Sequence, residues 1–145
     1  MQSRRLLLAA AVGALLAGCE RSQNSYPSWP DAERAGAVQR GWLPPWVPRS
    51  ATQIDEAHDR DSNLQRLRFK LPPAELAGLS GSLQRLRVRD LCKSLGLAKL
   101  PGEWPSSIDE GAPAWNLSYL RATGLAVAVE SATSTVYVWS CPDLR

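Results

Sequence analysis

The sequence has one histidine, one phenylalanine, one methionine and three cysteines among 145 residues, and each scarcity removes a class of chemistry. A lone histidine, His58, leaves no multi-histidine metal centre, and a serine hydrolase would have it as its sole imidazole base. No phosphate-cradling or dinucleotide glycine pattern is present. Gly78-Leu79-Ser80-Gly81-Ser82 comes near a nucleophile elbow, but Ser82 stands where G-x-S-x-G needs its last glycine, and the run sits in a helical stripe. Long apolar runs are missing too: Leu6 to Ala17 is short of the roughly 20 residues that a spanning helix requires. Charge of one sign is also lacking. Lys+Arg number 17 against 14 Asp+Glu, a formal +3. An exported form without Arg4 and Arg5 falls nearly to neutrality, which argues against nucleic acid as a partner, since that binding rests on clustered cations.

The N-terminus is a targeting segment. Arg4 and Arg5 form a positive n-region, Leu6 to Ala17 an apolar h-region, and small residues follow. Leu16-Ala17-Gly18-Cys19 resembles a bacterial lipobox, with a plain secretory signal as the alternative. That resemblance implies removal of residues 1–18, lipid on Cys19, and a membrane as partner through that anchor. Glu20, in place of the aspartate of inner-membrane retention, points to the outer membrane, facing the periplasm. Two cysteines then remain, Cys92 and Cys141. In an oxidising compartment they are expected to pair, closing a loop worth about 4 kcal/mol in the chain-entropy model; two separate buried thiols are the alternative.

The segment 19–41, with Ser22, Gln23, Asn24, Ser25, Pro27, Ser28, Pro30 and Gly36, reads as a flexible lipidated tether, leaving 42–145 as one globular domain. That domain opens on Trp42 to Asn63, WLPPWVPRSATQIDEAHDRDSN. Pro44, Pro45 and Pro48 predict an extended, polyproline-like course with Trp42 and Trp46 as anchors. Ser50 and Gln53 form a capping box and predict a two-turn helix carrying Ile54, Ala57 and His58. The positions Trp42, Pro44, Pro48, Ser50, Ala51, Ile54, His58, Asp59, Asp61 and Asn63 resemble a motif of small Gram-negative lipoproteins, YbbD-head-like. The resemblance implies an envelope lipoprotein fold and carries over no activity.

Leu67, Phe69 and Leu71 alternate with Arg66, Arg68 and Lys70, the period of a half-buried strand. Pro73 then starts a helix with Leu76, Leu79, Leu83 and Leu86 at helical spacing. The segment 83–89 nearly repeats 64–70 and is ambiguous, leaning helical. Glycine and proline between Leu95 and Ala114 mark a long connection. Strands are predicted over 115–120, 125–129 and 135–139, the last two forming a hairpin through Ser131–Ser134. The fold class is α+β: an antiparallel sheet of about four strands with one or two helices on one face, tied by one disulfide.

Only His58 with Asp55, Asp59 and Asp61 resembles a site. Asp59-Arg60-Asp61-Ser62-Asn63 opens like a calcium loop but has Leu64 for the glycine and Lys70 for the glutamate, so no metal or cofactor is expected. Trp42, Trp46, His58, Asp59, Asp61, Arg66 and Arg68 are the candidate ligand or partner surface. The function expected is that of a non-enzymatic, tethered envelope lipoprotein binding another envelope protein. The alternatives are a glycan or anionic-lipid binding module using tryptophan and arginine surfaces, and a hydrolase or metal site at His58.

Overall fold

The computed structural model describes residues 21–85, 116–120 and 124–140. Cys19, Cys92 and Cys141 lie outside them, so the lipidation site and the expected disulfide do too. Among the described residues, no helix is long and apolar enough to cross a membrane.

The chain forms β1 (Arg21–Ser28), α1 (Trp29–Arg34), β2 (Thr52–Asp59), β3 (Leu64–Lys70), α2 (Pro73–Ser82), β4 (Gln84–Arg85), β5 (Asn116–Leu120), β6 (Leu125–Glu130) and β7 (Thr135–Ser140). The strands make one antiparallel sheet in the order β1-β2-β3-β7-β6-β5-β4. Among the described residues seven strands stand where four were expected, because three were hidden: β1 in the segment read as a tether, β2 in the expected helix, and β4 in the helical-leaning repeat. Every neighbour in the sheet is also a neighbour in sequence except at β3–β7. The sheet is thus two meanders, β1–β3 and β4–β7, joined along one seam.

Residues 21–41 are therefore no tether. β1 pairs with the whole of β2, from Arg21 opposite Asp59 to Ser28 opposite Thr52. Its polar sequence suits an edge strand, and Pro27, which has no N–H to give, is tolerated there. Tyr26, Trp29, Ala32 and Ala37 from this segment are buried in the core. Composition misled because a strand at an edge needs only backbone pairing and one buried side chain.

The Ser50–Asp59 helix is likewise replaced by a strand. Gln53 takes a positive φ of 48°, and the β2–β3 register shifts between Thr52 and Asp55, a bulge at the strand's entry. From there Ile54, Glu56 and His58 face the core side and alternate with Asp55, Ala57 and Asp59. Ser50 caps nothing in β2; its hydroxyl donates to the Glu75 carboxylate on α2. The Trp42–Pro48 run is not polyproline-like either. It is a chain of tight turns in which Val47 N–H donates to Pro44 C=O (3.1 Å) and Ala51 N–H to Pro48 C=O (3.0 Å). The fixed φ of proline serves a turn as well as an extended helix.

The core lies on one face of the sheet. Ile54, Leu67, Phe69, Val127, Val129, Val136 and Val138 project into it, and α1, the 35–51 connection and α2 cover them with Trp29, Leu43, Val47 and Leu76. Both helices sit on that face; α2 is the one predicted at Pro73, whereas α1 lies in the segment read as a tether. The opposite face also buries Ala57, Arg66, Ala126, Ala128, Tyr137 and Trp139. The predicted strand over 67–71, the helix at Pro73 and the β6–β7 hairpin are all present.

Candidate functional site

On the core side, the row of the sheet nearest the β2–β3 turn is polar: Ser22, His58, Gln65 and Ser140 follow one another across β1, β2, β3 and β7. The next row holds Asn24 and Glu56, then turns apolar at Leu67 and Val138. Beside the first row opens a cleft of about 430 Å³. Its wall includes Arg40, Trp42, His58, Asp59, Arg60 and Gln65.

His58 and Glu56 stand two apart on β2 and so share a face. Both are buried, at 7% and 1% exposure. His58 Nδ1 lies 2.5 Å from Glu56 Oε1, a distance two lone pairs cannot share, so the pair holds a proton between them. The other carboxylate oxygen, Oε2, accepts from Asn24 Nδ2 at 2.9 Å, and Asn24 also donates to Ser22 Oγ at 3.1 Å. Burial raises the Glu56 pKa above the ordinary carboxylate value, with the hydrogen bonds from Asn24 and His58 offsetting part of the rise. Burial also raises the Tyr26 phenol; Glu56 adds to that, and the Arg40 guanidinium opposes it. His58 Nε2 is buried and has no hydrogen-bond partner.

The indole of Trp42 lies against the imidazole, with ring centres 4.4 Å apart and planes tilted by 31°. Two exposed guanidiniums attend that indole, Arg40 at 3.9 Å and Arg60 at 6.0 Å from the ring centre. The 35–51 connection is shaped to place Arg40 and Trp42, and the β2–β3 turn brings Arg60. Gly36 has φ of +77°, and a Cβ there would come within 2.8 Å of Arg40 Nη1; Arg40 Nη2 donates to Ala35 C=O at 2.5 Å. Ala37 C=O accepts from both Trp42 N–H (2.9 Å) and Leu43 N–H (3.1 Å), while Gln65 Nε2 donates to Trp42 C=O. A column thus runs from solvent to interior: Arg40, Trp42, His58, Glu56, Asn24.

Of the residues singled out in the sequence, the structure brings Trp42, His58 and Asp59 together at this cleft. Asp61 is exposed in the turn after β2, where Asp59 Oδ1 accepts its N–H at 3.0 Å and that of Ser62 at 3.2 Å. The calcium-loop look of that stretch is the chemistry of a hairpin turn, closed by Asn63 at a φ of 54°. Among the described residues no group of three or more His, Cys, Asp or Glu could hold a metal. Asp55 and Asp59 share no helix face; four residues along a strand stand about 13 Å apart. Trp46 packs toward Phe69, ring centres 6.4 Å apart, away from the cleft. Arg66 and Arg68 project from the opposite face: Arg66 is 6% exposed, and Arg68 Nε and Nη2 reach Asp55 Oδ2 at 2.9 and 2.5 Å. On that face Arg68 is half-buried and, with Lys70, lines a second cleft of about 210 Å³, apart from the one beside Trp42 and His58. Sequence reasoning missed Glu56, Asn24, Arg40, Arg60 and Gln65. The i, i+2 spacing of Glu56 and His58 could have flagged the first, had the segment been read as a strand.

Comparison with curated proteins and with solved structures gives no match. A family match exists for the first meander. It includes the segment read as a tether and the whole Trp42–Asn63 run. Residues 20–70, ending on the last residue of β3, match the model of the YbbD head domain.

Proposed function

We propose that this chain is a non-enzymatic module of the cell envelope, held at a membrane by lipid on Cys19 and working by recognition through the cleft beside Trp42 and His58. The observation that carries the proposal is the column itself. It gives the cleft a pre-set aromatic wall flanked by two cations, the makeup of a binding surface whose anchor is ordered before the ligand arrives. The lipobox and the match to the YbbD head domain are consistent with an envelope setting. The recognised component is another molecule of the envelope, a protein or a lipid headgroup. In the test, the full-length chain is recovered from detergent-solubilised membranes, and its co-purifying material is compared with that of Trp42→Ala. Loss of bound material from a variant that still unfolds cooperatively is expected; identical recovery from both would remove the cleft from the function.

One observation favours a second reading, general-base chemistry at His58. The Nδ1–Glu56 bond orients the imidazole and leaves Nε2 without a partner, an arrangement that many catalytic histidines share. On that reading His58→Gln abolishes function in cells while the protein melts normally. A variant that unfolds instead assigns the pair to structure.

A further inference from the structure

We infer that the cleft takes the phosphate of a lipid headgroup in the same membrane that holds the chain. This rests on the anchored reading above and names the ligand of that site. The geometry begins with β1. Its first residue, Arg21, follows Cys19 by two positions and pairs with Asp59, which lines the cleft. Two residues span at most about 7 Å and one strand spacing adds about 5 Å, so chain length alone keeps the Cys19 backbone within about 12 Å of Asp59. Without a tether, the end of the sheet that carries the β2–β3 turn faces the bilayer, and the headgroup layer is what the cleft meets.

The lining suits an anion. The guanidiniums of Arg40 and Arg60 flank one indole on the exposed side. Gln65, Asn63 and Ser62 add neutral hydrogen-bonding groups, and Asp59 contributes the one negative charge among the described lining residues, its Oδ1 already accepting two backbone N–H groups. In the wall beside them stands His58, more than nine-tenths buried, with an Nε2 that lacks a partner. Phosphate esters are matched by arginine forks, and cations near an anionic leaflet add affinity individually.

The test uses residues 19–145 with Cys19→Ser, produced without residues 1–18, so that neither an acyl group nor the apolar leader with Arg4 and Arg5 can drive binding. Co-sedimentation is measured with vesicles of phosphatidylcholine alone and of phosphatidylcholine mixed with phosphatidylglycerol. Binding to the mixed vesicles only is expected, weakened about fivefold by Arg60→Ala and about as much by Arg40→Ala. Arg60 sits in an exposed turn, so its variant keeps the test readable if Arg40→Ala proves destabilising. Equal binding to both vesicles, or no effect of Arg60→Ala, overturns the proposal. Competition by inorganic phosphate or glycerol phosphate at the concentration of accessible lipid reassigns the cleft to a free phosphate ligand and overturns the lipid source. A purified envelope protein displacing the vesicles from the cleft does the same in favour of a protein. The mass of the wild-type chain from membranes tests the anchor separately: an unacylated Cys19 sinks the anchored reading even where the vesicle result stands.

Discussion

The two meanders of the sheet solve the same problem by opposite means. In β6 and β7 nearly every residue is buried, and apart from Thr135 what is buried is apolar or aromatic, from Leu125 to Val129 and from Val136 to Trp139. In β1 and β2 the sequence is mostly polar, and burial is made tolerable by pairing, Asn24 with Glu56 and Glu56 with His58, while the half-buried Asp55 pairs nearer solvent with Ser25 and Arg68. An apolar strand is stabilised by area removed from water, whereas a buried polar group contributes only while its partner stays in place. The first meander should therefore fail pair by pair and the second by volume.

The largest effect is expected at the seam where the two meet. Phe69 is fully buried, and Phe69→Ala should cost about 4 kcal/mol by loss of transfer energy and creation of a cavity, read as a lowered urea midpoint with an unchanged slope. In the polar half, Glu56→Ala strands both His58 and Asn24 and should cost about 3 kcal/mol. The double variant Glu56→Leu with His58→Leu should cost clearly less than the sum of the two single leucine variants; simple additivity in the thermodynamic cycle would show that the pair is not coupled.

Titration sharpens the same contrast. Burial raises Glu56 in the folded state, so the folded protein holds that proton more tightly than the unfolded chain. The contribution is complete below the unfolded carboxylate value of about 4.5 and is lost as pH climbs through the folded one. Stability measured across that window should fall with rising pH in the wild type and be flatter in Glu56→Gln. The smallest effect is local. Gly36→Ala should lose about 1 to 2 kcal/mol, because φ is +77° and the new methyl would push Arg40 off Trp42; tryptophan fluorescence would report the shift.

The same contrast decides what could be read from the sequence. The alternation Leu67, Phe69, Leu71 and the strand formers of 125–129 and 135–139 announced themselves, since apolar period is the signal that burial leaves behind. β1 and β2 left none. Beside Tyr26, Ile54 and Ala57 they bury the polar Glu56 and His58, and one partner that makes Glu56 acceptable, Asn24, lies across a strand at a distance in sequence. Local signals then pointed the wrong way: Ser50 and Gln53 form a capping box on paper, yet Gln53 turns to positive φ and the segment is drawn out between β1 and β3. Trp42 and His58 were legible as unusual residues, but Arg40, Arg60 and Gln65 join them only through the turns of 35–51, the β2–β3 turn and the register of β3.

The seam between β3 and β7 also sets an order of events. A ribosome delivers Leu64–Lys70 long before Thr135–Ser140, and during that interval one side of β3 has no backbone to bond. A chain ending at residue 134 is expected to self-associate in sedimentation where the intact one does not, with the nascent first half sheltered by holdase chaperones until its last strand arrives.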